Sequence, residues 1–160
     1  MKKLILIRHS KSSWDYPLND FDRPLTENGI TKAINVAKNT SEFIPTQKTI
    51  WSSSANRAKS TAILFVQNWN LDIQSIHFFD ELYTFDDRKL AQIVKSCPNS
   101  IDNLILFGHN SAITDFVNKF GDIFIDNVPT AGFVSITFET NNWKDISKGK
   151  INKILFPSHC

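Results

Sequence analysis

The chain has 160 residues, of which 41% are apolar and 21% charged, and its formal net charge is only +2. That length is enough to enclose one core, and the composition is that of an ordinary globular protein, so disorder is not expected. The basic residues are scattered and no apolar run approaches the ~18 residues of a membrane span, so neither nucleic acid nor a bilayer is expected as a partner.

The first element begins in "MKKLILIRHS". Two lysines precede an apolar run, but Arg8 and His9 interrupt it short of the ~7 to 15 residues of a signal peptide, so a buried strand is predicted over Leu4–Ile7. A helix follows Thr26 as N-cap, with Ile30, Ala33, Ile34 and Ala37 at helical spacing. Next come a strand at Thr49–Trp51 and a helix whose apolar face is Ala58, Ala62, Phe65, Val66 and Trp69. A third strand is predicted at Ile76–Phe79, then a helix behind Asp87 with Leu90, Ile93, Val94 and Cys97 inward. The fourth strand is Leu104–Phe107, followed after Ser111 by a helix carrying Ile113, Phe116, Val117 and Phe120. Two further strands, Phe133–Phe138 and Ile151–Leu155, close the chain. Alternating strands and helices predict a single-domain α/β fold over residues 1–160, with a mostly parallel sheet flanked by helices on both faces. Cys97 and Cys160 are too few and too far apart for a disulfide framework or a zinc site, which points to the cytoplasm.

Each of the first four strands ends in a residue able to do chemistry. Arg8 and His9 follow the first, Arg57 the second, Glu81 the third and His109 the fourth. Strands of a parallel sheet share one carboxyl edge, where ligands bind in open α/β folds. Two arginines and two histidines beside a helix start near Ser111 suit a compact anion such as phosphate. A neutral imidazole is also a nucleophile near physiological pH. His77, within the third strand, and His159, near the terminus, read instead as ordinary boundary residues. Arginines beside the histidines would repel a metal cation, and G-x-S-x-G, P-loop and G-x-G-x-x-G patterns are all missing, so neither metal nor cofactor is expected.

The ordered segments "LIRHS", "RPLTENG", "SSSANRAKST", "DELY", "LFGHNSAI" and "VPTAGFVSITF" resemble the histidine phosphatase (phosphoglycerate mutase-like) superfamily, in particular its short SixA-type phosphohistidine phosphatase branch. The resemblance spans nearly the whole chain. It implies that His9 is phosphorylated during turnover and that Arg8, Arg57 and His109 hold the phosphate. It adds Arg23, Ser10, Asn110, Thr130 and Ala131 as phosphate- or substrate-binding positions, and Glu81 as general acid. Ser10 stands where the superfamily usually has glycine.

The implied activity is metal-independent hydrolysis through a phosphohistidine, with a protonated His109 stabilising charge and a rate that falls in acid as His9 protonates. The expected substrate is phosphohistidine on a protein. One alternative is a phosphatase or mutase acting on a small phosphorylated metabolite; the other is a non-catalytic module that binds phosphoproteins.

Overall fold

The computed structural model describes residues 1–160. Six strands form one sheet in the order β3-β2-β4-β1-β5-β6. They are β1 (Lys2–Arg8), β2 (Thr49–Ser53), β3 (Ile76–Phe79), β4 (Asn103–Gly108), β5 (Phe133–Phe138) and β6 (Lys150–Leu155). β3, β2, β4 and β1 run parallel, and β5 and β6 add an antiparallel edge. The predicted strands are all present: β3 and β5 keep the predicted bounds, while β1, β2, β4 and β6 run one to three residues beyond the apolar runs, because ladder bonds continue into polar termini such as Ser52 and Ser53.

Alternation along the strands builds two cores. Leu4 and Leu6 of β1 join Leu104 and Leu106 of β4 on one face, while Ile5, Ile7, Ile105 and Phe107 point to the other. The first face is covered by α3 (Asp87–Lys95) and α4 (Ala112–Phe120), and the second by α1 (Glu27–Thr40) and α2 (Asn56–Asn68). This division follows from right-handed crossovers. β1 to β2 to β3 proceeds toward one edge of the sheet and places α1 and α2 on one side, and the return from β3 to β4 places α3 on the other.

Three local expectations are corrected. The inner face of α1 is Gly29, Ala33, Val36, Ala37 and Thr40, whereas Ile30 is exposed. Small residues let this helix approach the sheet, and a Cβ on Gly29 would stand 2.3 Å from the Lys11 carbonyl oxygen. α3 is capped by Asp86, which accepts a hydrogen bond from the Arg88 N–H, with Asp87 in the first turn. At α4 the Ser111 hydroxyl makes no cap; the Asn110 side-chain oxygen accepts from the Thr114 N–H instead. Thr26 caps α1 as predicted, accepting from the Gly29 N–H. Both cysteines are free, and no helix is long and apolar enough to cross a membrane.

Candidate active site

β1 and β4 are neighbours in register, with Arg8 opposite Gly108, so the residues that follow each strand meet above the centre of the sheet. The His9 N–H donates to the Gly108 carbonyl at 3.0 Å, and the His9 and His109 ring centroids are 5.2 Å apart. β2 lies on the far side of β4 and leads through Ser53 into α2, whose second residue is Arg57. Three of the four predicted strand ends therefore converge.

His9 is buried, and its Nδ1 lies 2.6 Å from the Ser10 carbonyl oxygen. A carbonyl only accepts, so Nδ1 carries the proton and Nε2 keeps its lone pair, which accepts a hydrogen bond from the Arg57 Nε–H. Nε2 faces the Arg57 Nε at 3.3 Å. Burial, together with the charges of Arg57, Arg8 and Arg23, outweighs the Ser10 contact and brings the His9 pKa down to about 4. His9 is thus neutral at pH 7.

His109 is 1% exposed; its Nε2 lies 2.8 Å from the Ser53 hydroxyl, and its Nδ1 has no partner. Burial first, then His9 and Arg57, lowers its pKa to about 3. Without an anion beside it the ring is therefore neutral; the protonated His109 expected from sequence concerns the phosphate-bound site. Arg8 gives one N–H to the Val128 carbonyl at 3.0 Å, and its buried Nε is also unpartnered. Unpaired polar nitrogens in a buried site cost free energy, and an oxyanion between them would recover it.

Glu81 is not part of this group. It sits in a short 3-10 turn, Asp80–Leu82, and is exposed beside a cavity lined by Trp51, Phe79, Ile93, Ser96 and Pro98. The carboxylate that does reach the arginines is Asp20, which sequence reasoning missed. Asp20 accepts from Arg57 Nη2 at 2.9 Å, from Arg23 Nη1 at 3.0 Å and from the Tyr83 hydroxyl. Burial works against its ionisation, but the hydrogen bonds from Tyr83, Arg57 and Arg23 prevail and its pKa is about 2. Its place four residues ahead of "PLT", within reach of Arg23, was the available signal.

Arg23 lies behind Asp20. Its Nε donates to the Ser13 carbonyl, its Nη2 to the Ser12 hydroxyl, and its guanidinium carbon stands 3.2 Å from the Trp14 ring centroid. Ser10 is tied to the scaffold: its N–H meets Thr61 Oγ1 at 2.9 Å and its hydroxyl donates to the Gly29 carbonyl at 2.6 Å. The Asn110 amide donates to Asn127 Oδ1 while its oxygen caps α4. The Ala131 N–H is shared by the Arg8 and His9 carbonyls and holds their backbone, and Thr130 beside it is half-buried. Phe85 and Tyr83 pack their rings edge-on against His109, with centroids at 5.7 and 5.3 Å, and were also missed.

The chain is similar to known proteins in sequence and in fold. An uncharacterised chloroplastic protein of Arabidopsis thaliana is 32% identical over 118 residues, 68% of this chain and 54% of that protein, so the aligned part spans about half the length of the relative. SixA from Agrobacterium tumefaciens superposes with a TM-score of 0.78 at 22% identity, covering 96% of this chain and 97% of that one. The protein histidine phosphatase SixA complexed with tungstate gives 0.77 at 19% identity, covering 98% and 97%. A mycobacterial glucosyl-3-phosphoglycerate phosphatase gives 0.69 at 14% identity, covering 95% and 97%. These superpositions share the fold, one sheet with helices on both faces. The sequence model of the histidine phosphatase superfamily (branch 1) matches residues 4–105, the stretch that carries Arg8, His9 and Arg57, and the chain belongs to that superfamily.

Proposed function

We propose that the chain, as one histidine phosphatase domain over residues 1–160, is a metal-independent phosphatase that works through a phosphohistidine on His9. The observation that carries this reading is the His9 Nε2 lone pair, held 3.3 Å from the Arg57 Nε beside two buried nitrogens without partners, Arg8 Nε and His109 Nδ1. A phosphoryl group set among them has its equatorial oxygens bound and its phosphorus open to in-line attack. Nε2 forms the new N–P bond as the bond to the leaving group breaks. Nδ1 keeps its proton on the Ser10 carbonyl, so the phosphorylated ring is an imidazolium. Water then attacks phosphorus, and His9 departs as neutral imidazole while phosphate is released.

Phosphohistidine on a protein is the substrate this chemistry favours. A protonated phosphoimidazole leaves as a neutral ring and needs no acid, whereas an alkyl ester needs a proton for its oxygen. Glu81 stands outside the group, and Asp20, titrating at about 2, is ionised at pH 7 and has no proton to give. The similarity to SixA proteins supports the same choice.

The test is phosphate release from a phosphohistidine-bearing protein and from a small alkyl phosphate, each with wild type and His9→Ala, in the presence of a chelator. Release from the phosphohistidine protein by wild type and none by His9→Ala is the expected result. Release from the ester alone would assign the chain to small-metabolite chemistry, and turnover by His9→Ala would remove His9 as nucleophile.

A further inference from the structure

The Arg57 guanidinium has two edges that can each grip a pair of oxygens, one formed by Nη1 and Nη2 and the other by Nη2 and Nε. The first is already occupied. Nη1 donates to the Asp20 main-chain carbonyl at 2.6 Å and Nη2 to the Asp20 carboxylate at 2.9 Å. The second edge is therefore turned toward His9 Nε2, the place where phosphorus must sit. We infer that Asp20 is a positioning residue: it grips the outer edge of Arg57 and aims the inner edge at the phosphoryl group that His9 attacks. The inference rests on the function proposed above.

Asp20 is itself held from two sides. Arg23 donates to its other carboxylate oxygen at 3.0 Å and is anchored on the Ser13 carbonyl and the Trp14 ring. The Tyr83 hydroxyl donates to the same oxygen that Arg57 uses, and the Tyr83 ring packs against His109. One carboxylate thus links the turn after β1, the start of α2 and the turn after β3. This arrangement gives the buried Arg23 a purpose other than substrate contact, namely to keep Asp20 in place. A long, flexible arginine left without that grip would sample several orientations, and loss of alignment at a reacting centre costs up to about 10²-fold in rate.

The experiment compares Asp20→Asn, Asp20→Ala and Tyr83→Phe with wild type, using His9→Ala as the inactive control. It measures kcat on a phosphohistidine-bearing protein, the inhibition constant of inorganic phosphate, and the NMR signal of the Arg57 Nε–H, assigned by its loss in Arg57→Lys. Asp20→Asn and Asp20→Ala are expected to lower kcat by about 10- to 100-fold. The phosphate inhibition constant is expected to stay within about twofold or to tighten, because a negative charge beside the site has been neutralised. The Arg57 signal should broaden, and Tyr83→Phe should show a smaller loss of the same kind. Should Asp20→Ala fail to fold, the isosteric Asp20→Asn decides. A kcat within twofold of wild type in Asp20→Asn, or phosphate binding that weakens in step with kcat, would overturn the positioning role alone while His9→Ala remains inactive. Turnover by His9→Ala would overturn the underlying reading as well.

Discussion

His9 is an ordinary residue made unusual by its surroundings. Its Nδ1 is held by the Ser10 carbonyl, and burial with three arginines nearby brings its pKa to about 4. On the function proposed above, the acid limb of the rate is expected well below the ~6.5 of a free imidazole. With an acid-stable aryl phosphate, kcat/KM corrected for the substrate's own ionisation reports the free enzyme and is expected to stay flat from pH 8 to about 5 and to fall as pH drops through 4. A rate halved near pH 6.5 would show that the buried ring is not held neutral. Lowering pH charges His9 and removes its lone pair, so a loss of activity, not a gain, is expected.

The meeting of α1 with the turn after β1 fixes the backbone around His9. Thr26 caps the helix, its N–H donates to the Lys11 carbonyl at 2.9 Å, and the Ser10 hydroxyl donates to the Gly29 carbonyl at 2.6 Å. A methyl group on Gly29 would stand 2.3 Å from the Lys11 carbonyl oxygen, a backbone atom that cannot swing aside. Gly29→Ala is expected to cost about 1–3 kcal/mol in denaturant unfolding and to lower activity by displacing Ser10. Ile30→Ala, one residue away and 39% exposed, should change stability by no more than about 0.5 kcal/mol. Equal effects at the two positions would show that the helix does not meet the turn after β1 this closely.

At the scale of the whole molecule, the strand order decides which ends meet. β4 lies between β1 and β2, so His9, His109 and Arg57 share one point, while β3 at the edge of the sheet carries Glu81 away from it. Burying two histidines at that point couples stability to pH. Both are neutral when folded, with pKa values of about 4 for His9 and about 3 for His109, against ~6.5 when unfolded. Above pH 6.5 neither state binds the proton, and these groups contribute no pH dependence. Below it the unfolded chain takes up protons that the folded chain refuses, so stability falls as pH drops from 6.5 toward 4. Thermal unfolding between pH 8 and 4.5 is expected to show Tm declining below pH 6.5, with a shallower decline in the double variant His9→Ala, His109→Ala. An unchanged slope in that variant would show that the decline belongs to other groups.

Much of this was legible in residue order. Uninterrupted aliphatic runs such as Leu4–Ile7 and Leu104–Phe107 mark strands covered on both faces, because a residue pointing either way from such a strand meets a helix. Polar residues immediately after them, Arg8, His9 and His109, then fall at the carboxyl edge of the sheet. On α1, Ala33 and Ala37 face inward as predicted, but Ile30 was misread, because the small residue Gly29, and not the larger aliphatic one beside it, lies where the helix meets the turn after β1. Asp20, Tyr83 and Glu81 depended on the tertiary structure. Each sits in or next to a single 3-10 turn, where direction is set by the elements packed around it and not by a repeating period. Sequence alone determined the strands and the reactive groups at their ends, since both follow from local pattern and chain direction. Which carboxylate reached the arginines was decided only when the turn after β1 folded onto α2, a contact between residues 37 apart whose partners no local pattern specifies.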